Sequence, residues 1–241
     1  MSKPKVAIAK CAAPEGNAEF MEGKFVRKDS DIAKIKEAVA KAVELAIGSP
    51  DAIIKPGQKV LIKPNLAFQA PPESFAVVDP RVVEAVVAYF KENSKAGEVW
   101  VGDNPSLGLH VGRAKPAFEA SGMEEAARRG GADKVIYFDE TEVVEVEIPE
   151  AKVFKKAAIF KPVLDADVII NLPKMKVHLA GTVTLSLKNW NGIIPNVHPS
   201  DQQQGAHRID LGQKFADLYR AVKADLTIVD AIIGMEGQGP H

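Results

Sequence analysis

Ala166-Asp167-Val168-Ile169-Ile170-Asn171-Leu172-Pro173-Lys174-Met175-Lys176-Val177-His178 joins two patterns without a break. Its first half is apolar apart from Asp167 and Asn171, the composition of a strand buried on both faces. In its second half Lys174, Lys176 and His178 alternate with Met175 and Val177, so an extended chain sets the three cationic side chains on one side. A strand that needs cover on both faces implies a sheet between helical layers.

The flanking sequence agrees with that reading. Upstream, Lys59-Val60-Leu61-Ile62 and Glu98-Val99-Trp100-Val101 read as buried strands, with another over 135–138. Between them lie helical patterns. Ile32, Ile35, Val39, Val43 and Ile47 recur at helical spacing behind an Asp29-Ser30-Asp31 cap, and Gly48-Ser49-Pro50 stops that helix. Asp79-Pro80 opens a helix through residue 93, with proline at the first helical position. Shorter helices are expected over 115–121 and 123–129, and another over 211–222. Val6-Ala7-Ile8-Ala9 and Leu226-Thr227-Ile228-Val229-Asp230 complete the strands, and 12–28 reads as a loop.

Residues 139–162 differ: Val144, Val146 and Ile148 alternate with Glu145 and Glu147, a half-exposed strand, and 157–160 can pair with it. The expectation is an α/β fold with a mostly parallel open sheet, helices on both faces and a small β insertion near 139–162. The chain is read as one domain over 1–241, with 139–162 as the candidate β subdomain.

At 241 residues the chain can bury a sizeable core, and 46% hydrophobic with 26% charged residues is ordinary for a folded protein. A formal charge of -1 argues against bulk nucleic-acid binding. No apolar run approaches the roughly 20 residues that cross a bilayer, so no membrane partner is expected. Met1-Ser2-Lys3-Pro4 leads into a strand pattern rather than a signal peptide, and the cytoplasm is the expected location. Cys11 is the single cysteine, too few for a disulfide or for the thiolates of an iron–sulfur cluster.

In open parallel sheets ligands bind beyond the carboxyl ends of the strands. Four strand ends carry polar loops, and together they place Lys63, Asn65, Asp103, Asn104, Ser106, Lys174, Lys176, His178, Asp230 and Glu236 on one rim. Lys63, Lys174, Lys176 and Lys188 are candidates to hold an anion, with Asn65, Asn104 and Asn189 as orienting amides. His178 is the candidate acid/base, since histidine titrates near neutral pH, and Asp103 is a carboxylate for a metal or a substrate hydroxyl. Lys188-Asn189-Trp190-Asn191-Gly192 packs a lysine, two amides and a tryptophan together, with hydroxyls at Thr182, Thr184 and Ser186. The competing reading is a solvated edge, with Lys174 and Lys176 pointing to water.

His198 and His207, with Asp201 and Asp210 nearby, are too loosely spaced for a metal site, and His110 reads as a loop residue. No metal ligands are assigned. Gln202-Gln203-Gln204-Gly205 suits a lid-like loop over the rim.

The runs Val60-Leu61-Ile62-Lys63-Pro64-Asn65, Gly102-Asp103-Asn104-Pro105 and 167–195 resemble the family called domain of unknown function 362. The specific part is Asn171-Leu172-Pro173-Lys174-Met175-Lys176-Val177-His178 followed by Leu187-Lys188-Asn189. Some members of that family carry Cys-rich iron–sulfur segments, which this chain lacks. Members usually continue with further strand and helix beyond Gly237-Gln238-Gly239-Pro240, whereas this chain stops at His241. The resemblance therefore implies that the C-terminal part of the family fold is absent. A homo-oligomer, or a partner chain completing the fold, is expected at that edge.

His178, Ala180-Gly181 and Lys188 also share a spacing with nickel-pincer lactate racemase and its relatives, where the histidine and lysine serve one cofactor pocket. The glycine-rich run before that lysine is replaced here by 182–187. The combined expectation is an enzyme or redox-associated protein that binds an anionic small molecule or cofactor. The alternative is a non-catalytic partner or scaffold module of an iron–sulfur or electron-transfer complex.

Overall fold

The computed structural model describes residues 5–105, 113–178, 181–195 and 210–237. Its centre is a sheet of β1 (Lys59–Pro64), β2 (Glu98–Asp103), β3 (Lys134–Tyr137), β6 (Val168–Leu172) and β9 (Leu226–Thr227), in the order β3-β2-β1-β6-β9. Every neighbouring pair is parallel. An antiparallel hairpin of β4 (Val143–Glu147) and β5 (Lys156–Phe160) forms a second sheet. A third joins β7 (Lys174–His178), β8 (Thr182–Thr184) and β10 (Asp230–Met235), with β7 central.

The unbroken apolar runs follow from two cores, one on each face. Val60 and Ile62 of β1, with Val168, Ile170 and Leu172 of β6, pack against α2 (Asp29–Ile47), α3 (Pro80–Asn93), α4 (Ala114–Ala120) and α5 (Met123–Arg129). The residues between them, Leu61 and Ile169, face the other way. There they meet Trp190, the hairpin residues Ile159 and Phe160, Val163 of α6 (Lys161–Asp165), and Phe215 and Leu218 of α7 (Leu211–Ala221). Alternate side chains point to opposite faces, and both faces are dry. The hairpin expected from period-two alternation near 139–162 therefore covers the sheet, with α7, where helices α2 to α5 do not reach.

Helix signals resolve as expected in two places. Asp79 caps α3 by accepting the Arg81 N–H at 2.9 Å, with Pro80 at the first helical position. Gly48 ends α2 at φ 84°, a left-handed turn that favours glycine.

Four expectations need correction. Residues 6–9 form no strand: Val6 is 88% and Ile8 89% exposed, and no neighbouring strand pairs with them. Within 12–28 a short helix, α1 (Asn17–Met21), replaces pure loop. Asp31 is not a cap but a buried residue inside the first turn of α2, pulled inward by Arg81 and the Gly16 N–H. The single strand read over 226–230 is two: the chain leaves the central sheet after Thr227 and joins the third sheet at Asp230. Among the described residues, no helix is long and apolar enough to cross a membrane.

Candidate functional site

Strand order reverses between β1 and β6, because the chain first adds β2 and β3 on one side and later β6 and β9 on the other. A crevice opens at the carboxyl ends of strands at such a point. Three asparagines fill it. Asn65 Nδ2 donates to Asn189 Oδ1 at 3.1 Å, Asn189 Nδ2 to Asn171 Oδ1 at 2.7 Å, and Asn171 Nδ2 to the Ser186 carbonyl at 3.0 Å. This amide chain ties β1, β6 and the turn Lys188–Ile193 into one unit.

Beside it Lys63 Nζ lies 2.6 Å from Asp103 Oδ1, both side chains buried, and the Leu66 N–H donates to Asp103 Oδ2 at 2.9 Å. Burial presses the Lys63 ammonium down from its usual range, opposed by Asp103. Burial pushes the Asp103 carboxyl up, opposed by Lys63 and backbone N–H groups. Asn104 is buried just beyond. Gly192 caps the pair: a Cβ there would meet Asp103 Oδ1 at 2.2 Å and Lys63 Nζ at 2.9 Å. Glycine is required because the turn touches the ion pair with its backbone. The pair thus holds a turn in place, whereas the sequence reading assigned its members to an anion and to a metal or hydroxyl.

On β7 the alternation points inward. Lys174 and Lys176 are buried, and Met175 between them is exposed. This rules out the solvated-edge reading for both lysines. Lys174 Nζ is neutralised by Asp230 Oδ2 at 2.8 Å, and that same oxygen accepts the Asp79 N–H at 2.9 Å. Lys176 has no carboxylate partner among the described residues; its ammonium donates to the Ala76 carbonyl. Burial, then repulsion by Lys188 and Lys174, lowers its pKa to about 7. Directly across the strand pair lies buried Thr184, whose Oγ1 has no hydrogen-bond partner among the described residues.

Lys188 likewise has no ion pair among the described residues, and burial lowers its pKa to about 8. It lines a cavity of about 230 Å³ with Gly181, Thr182, Phe215 and the first residues of α7, Leu211 and Gly212. His178 reaches the same turn from the other side: its Nδ1 accepts the Gly181 N–H at 3.1 Å, which sets the neutral ring as the Nε2–H tautomer. A Cβ on Gly181 would stand 3.2 Å from Lys188 Cδ. Next to it Thr182 sits at φ 60°, a left-handed conformation that is strained for a β-branched residue, and the Val183 N–H folds back to the Gly181 carbonyl.

The predicted residues therefore separate. Lys63, Asp103, Asn65 and Asn189 lock the crevice, and Lys174 pairs with Asp230. His178 and Lys188 flank Gly181, with Lys176 near enough to feel the Lys188 charge. Glu236 is exposed beyond β10. Ser106, His110, Ala180, His198, Asp201, the 202–205 loop, His207 and His241 lie outside the described residues. Among the described residues no three His, Cys, Asp or Glu side chains gather as a metal site. Sequence reasoning missed Arg81 as a buried partner of Asp31 and Asp79, and the first turn of α7 as a wall of the cavity. Two of the Arg81 partners, Asp31 and Asn17, lie 50 and 64 residues away, and the Asp210 cap marks where α7 begins but not that its first turn lines a cavity with Lys188.

Comparisons with known proteins place this architecture in context. The chain is 30% identical over 201 residues to the thylakoid-associated protein sll1697 of Synechocystis sp., a match covering 80% of this chain and 58% of that protein. A crystal structure of a Thermotoga maritima protein aligns with a TM-score of 0.48 at 14% identity, over 85% of this chain and 52% of that one. The chain spans little more than half the length of these two relatives. The family model for the domain of unknown function DUF362 matches residues 60–241, which include the asparagine-locked crevice and the Gly181 turn, and the chain belongs to that family.

Proposed function

We propose that the chain binds an anionic small molecule in the cavity between Lys188 and the first turn of α7. One observation carries this reading: buried Lys176 and half-buried Lys188 have no carboxylate partner among the described residues, and burial lowers both. Burying an ammonium without a counter-charge is costly, and an anion offsets that cost. The N-terminal end of α7 adds a partial positive charge at the same wall. Lys188 contacts the anion, Lys176 supplies field from behind, and His178 Nε2 serves as the acid/base. A cytoplasmic setting belongs to this proposal.

The pH dependence has opposite signs for fold and ligand. Folded pKa values of about 7 and about 8 lie below the unfolded lysine value of roughly 10.4, so the unfolded chain holds more protons between them. Stability of the ligand-free protein therefore rises with pH through that window. Anion binding needs the protons and weakens over the same range. Sulfate, fully charged throughout, is the probe. At about ten times its dissociation constant, sulfate raises Tm by about 3 °C near pH 6.5 over chloride of equal ionic strength. The gain disappears near pH 9 and in Lys188→Met. Equal stabilisation of wild type and Lys188→Met overturns the reading.

The partner-module alternative has its own support. Met175 is 46% and Val183 44% exposed on the outer face of the third sheet, an apolar face without cover among the described residues. Native mass measurement should give a dimer or larger species that Met175→Lys shifts towards monomer. A wild-type monomer at tens of micromolar removes this alternative.

A further inference from the structure

Lys188 differs from the other inward-facing lysines at this site. Lys63 and Lys174 are held by carboxylates, and Lys176 is held by a carbonyl. Lys188 has none of these among the described residues, and it opens on a cavity. Its stem is packed against Gly181, where no side chain intervenes, so the amine is positioned rather than free to sweep the surface. The cavity of about 230 Å³ is smaller than the roughly 300–1,000 Å³ of drug-sized pockets, which limits an occupant to a small compound. Its wall mixes Leu211 and Phe215 with the polar Gly181–Thr182 turn, so one end of the occupant is shielded from water. The strain at Thr182 is stored on that same wall.

We propose that Lys188 is a carbonyl-reactive amine, condensing with a small aldehyde or ketone whose anionic group lies at the first turn of α7. This rests on the anion-site reading above and adds the chemistry of the occupant. The amine nitrogen attacks the carbonyl carbon and a C–N bond forms. The carbonyl oxygen then leaves as water with the two hydrogens the amine gives up, and an imine remains. Only the neutral amine reacts. With a pKa of about 8, roughly one Lys188 in five is neutral near pH 7.4, against about one in a thousand for an exposed lysine. With its anionic group held at the first turn of α7, the occupant presents its carbonyl carbon to the neutral amine of Lys188.

Trapping with glyoxylate and sodium cyanoborohydride near neutral pH tests it, because hydride transfer to the imine carbon leaves a stable carboxymethylated lysine. Peptide mass analysis should show Lys188 labelled at least about tenfold faster than exposed Lys41, with sulfate slowing the reaction. Lys188→Arg keeps the charge but not the amine, so it should keep the sulfate Tm shift and lose the fast label. Labelling of Lys188 no faster than Lys41, with the Lys188-dependent sulfate shift intact, overturns the imine and leaves the anion site standing. Fast labelling that sulfate leaves unchanged overturns the placement of the anionic group at α7. Absence of both the fast label and the sulfate shift removes both readings.

Discussion

Arg81→Leu should destabilise the protein by about 3–5 kcal/mol, read as a lower urea midpoint at unchanged slope. The guanidinium is fully buried and lies 2.6 Å from Asp79 Oδ2 and 3.4 Å from Asp31 Oδ2, both carboxylates buried as well. It also donates to Asn17 Oδ1 at 2.9 Å and stacks 4.9 Å from the Phe20 ring. One side chain thus joins α1, α2 and the start of α3. Leucine replaces its volume but leaves two carboxylates without a cation, which is the expensive way to break such a cluster. Arg128→Ala, which removes an exposed pair with Glu124, serves as the comparison and should change stability by no more than about 0.5 kcal/mol. A cost for Arg81→Leu inside that same margin would defeat the argument.

What the sequence disclosed follows from where each signal originates. Strands β1, β2 and β6 were legible because both their faces are dry, which forces unbroken apolar runs such as Val168-Ile169-Ile170. Val6-Ala7-Ile8-Ala9 has the same composition and forms no strand, since composition reports burial demand but not the presence of a neighbour to pair with. Likewise Leu226–Asp230 reads as one run, yet its two ends hydrogen-bond to different sheets, β6 through Leu226 and β7 through Asp230. Alternation correctly put Lys174 and Lys176 on one face. It could not say that Lys174 would meet Asp230, 56 residues away, or that Lys176 would meet the Ala76 carbonyl. Charges are paired by tertiary contact, and single-residue patterns carry no record of it. The same limit hid the role of Asp31, which looks like a helix cap and is instead a buried counter-ion.

The Lys63–Asp103 pair supplies the second large effect, through a double-mutant cycle. Lys63→Met leaves Asp103 buried with the Leu66 and Asn104 N–H groups as its remaining donors, and Asp103→Ala leaves Lys63 buried beside the Pro64 carbonyl at 3.4 Å. Each single change should cost about 3–5 kcal/mol. The double variant removes both charges together, and replacement of a buried pair by apolar groups of similar volume is often neutral, so it should lie within about 1 kcal/mol of wild type. Gly192 sets the limit on volume, since its backbone already touches both side chains and leaves no space for a larger group. The cycle also separates the two roles open to Lys63. If the pair only positions the Lys188–Ile193 turn, the folded double variant keeps the sulfate response that depends on Lys188. If Lys63 itself holds the anion, the double variant stays folded and loses that response, and the ligand site must then extend across the asparagine-locked crevice to the ends of β1 and β2.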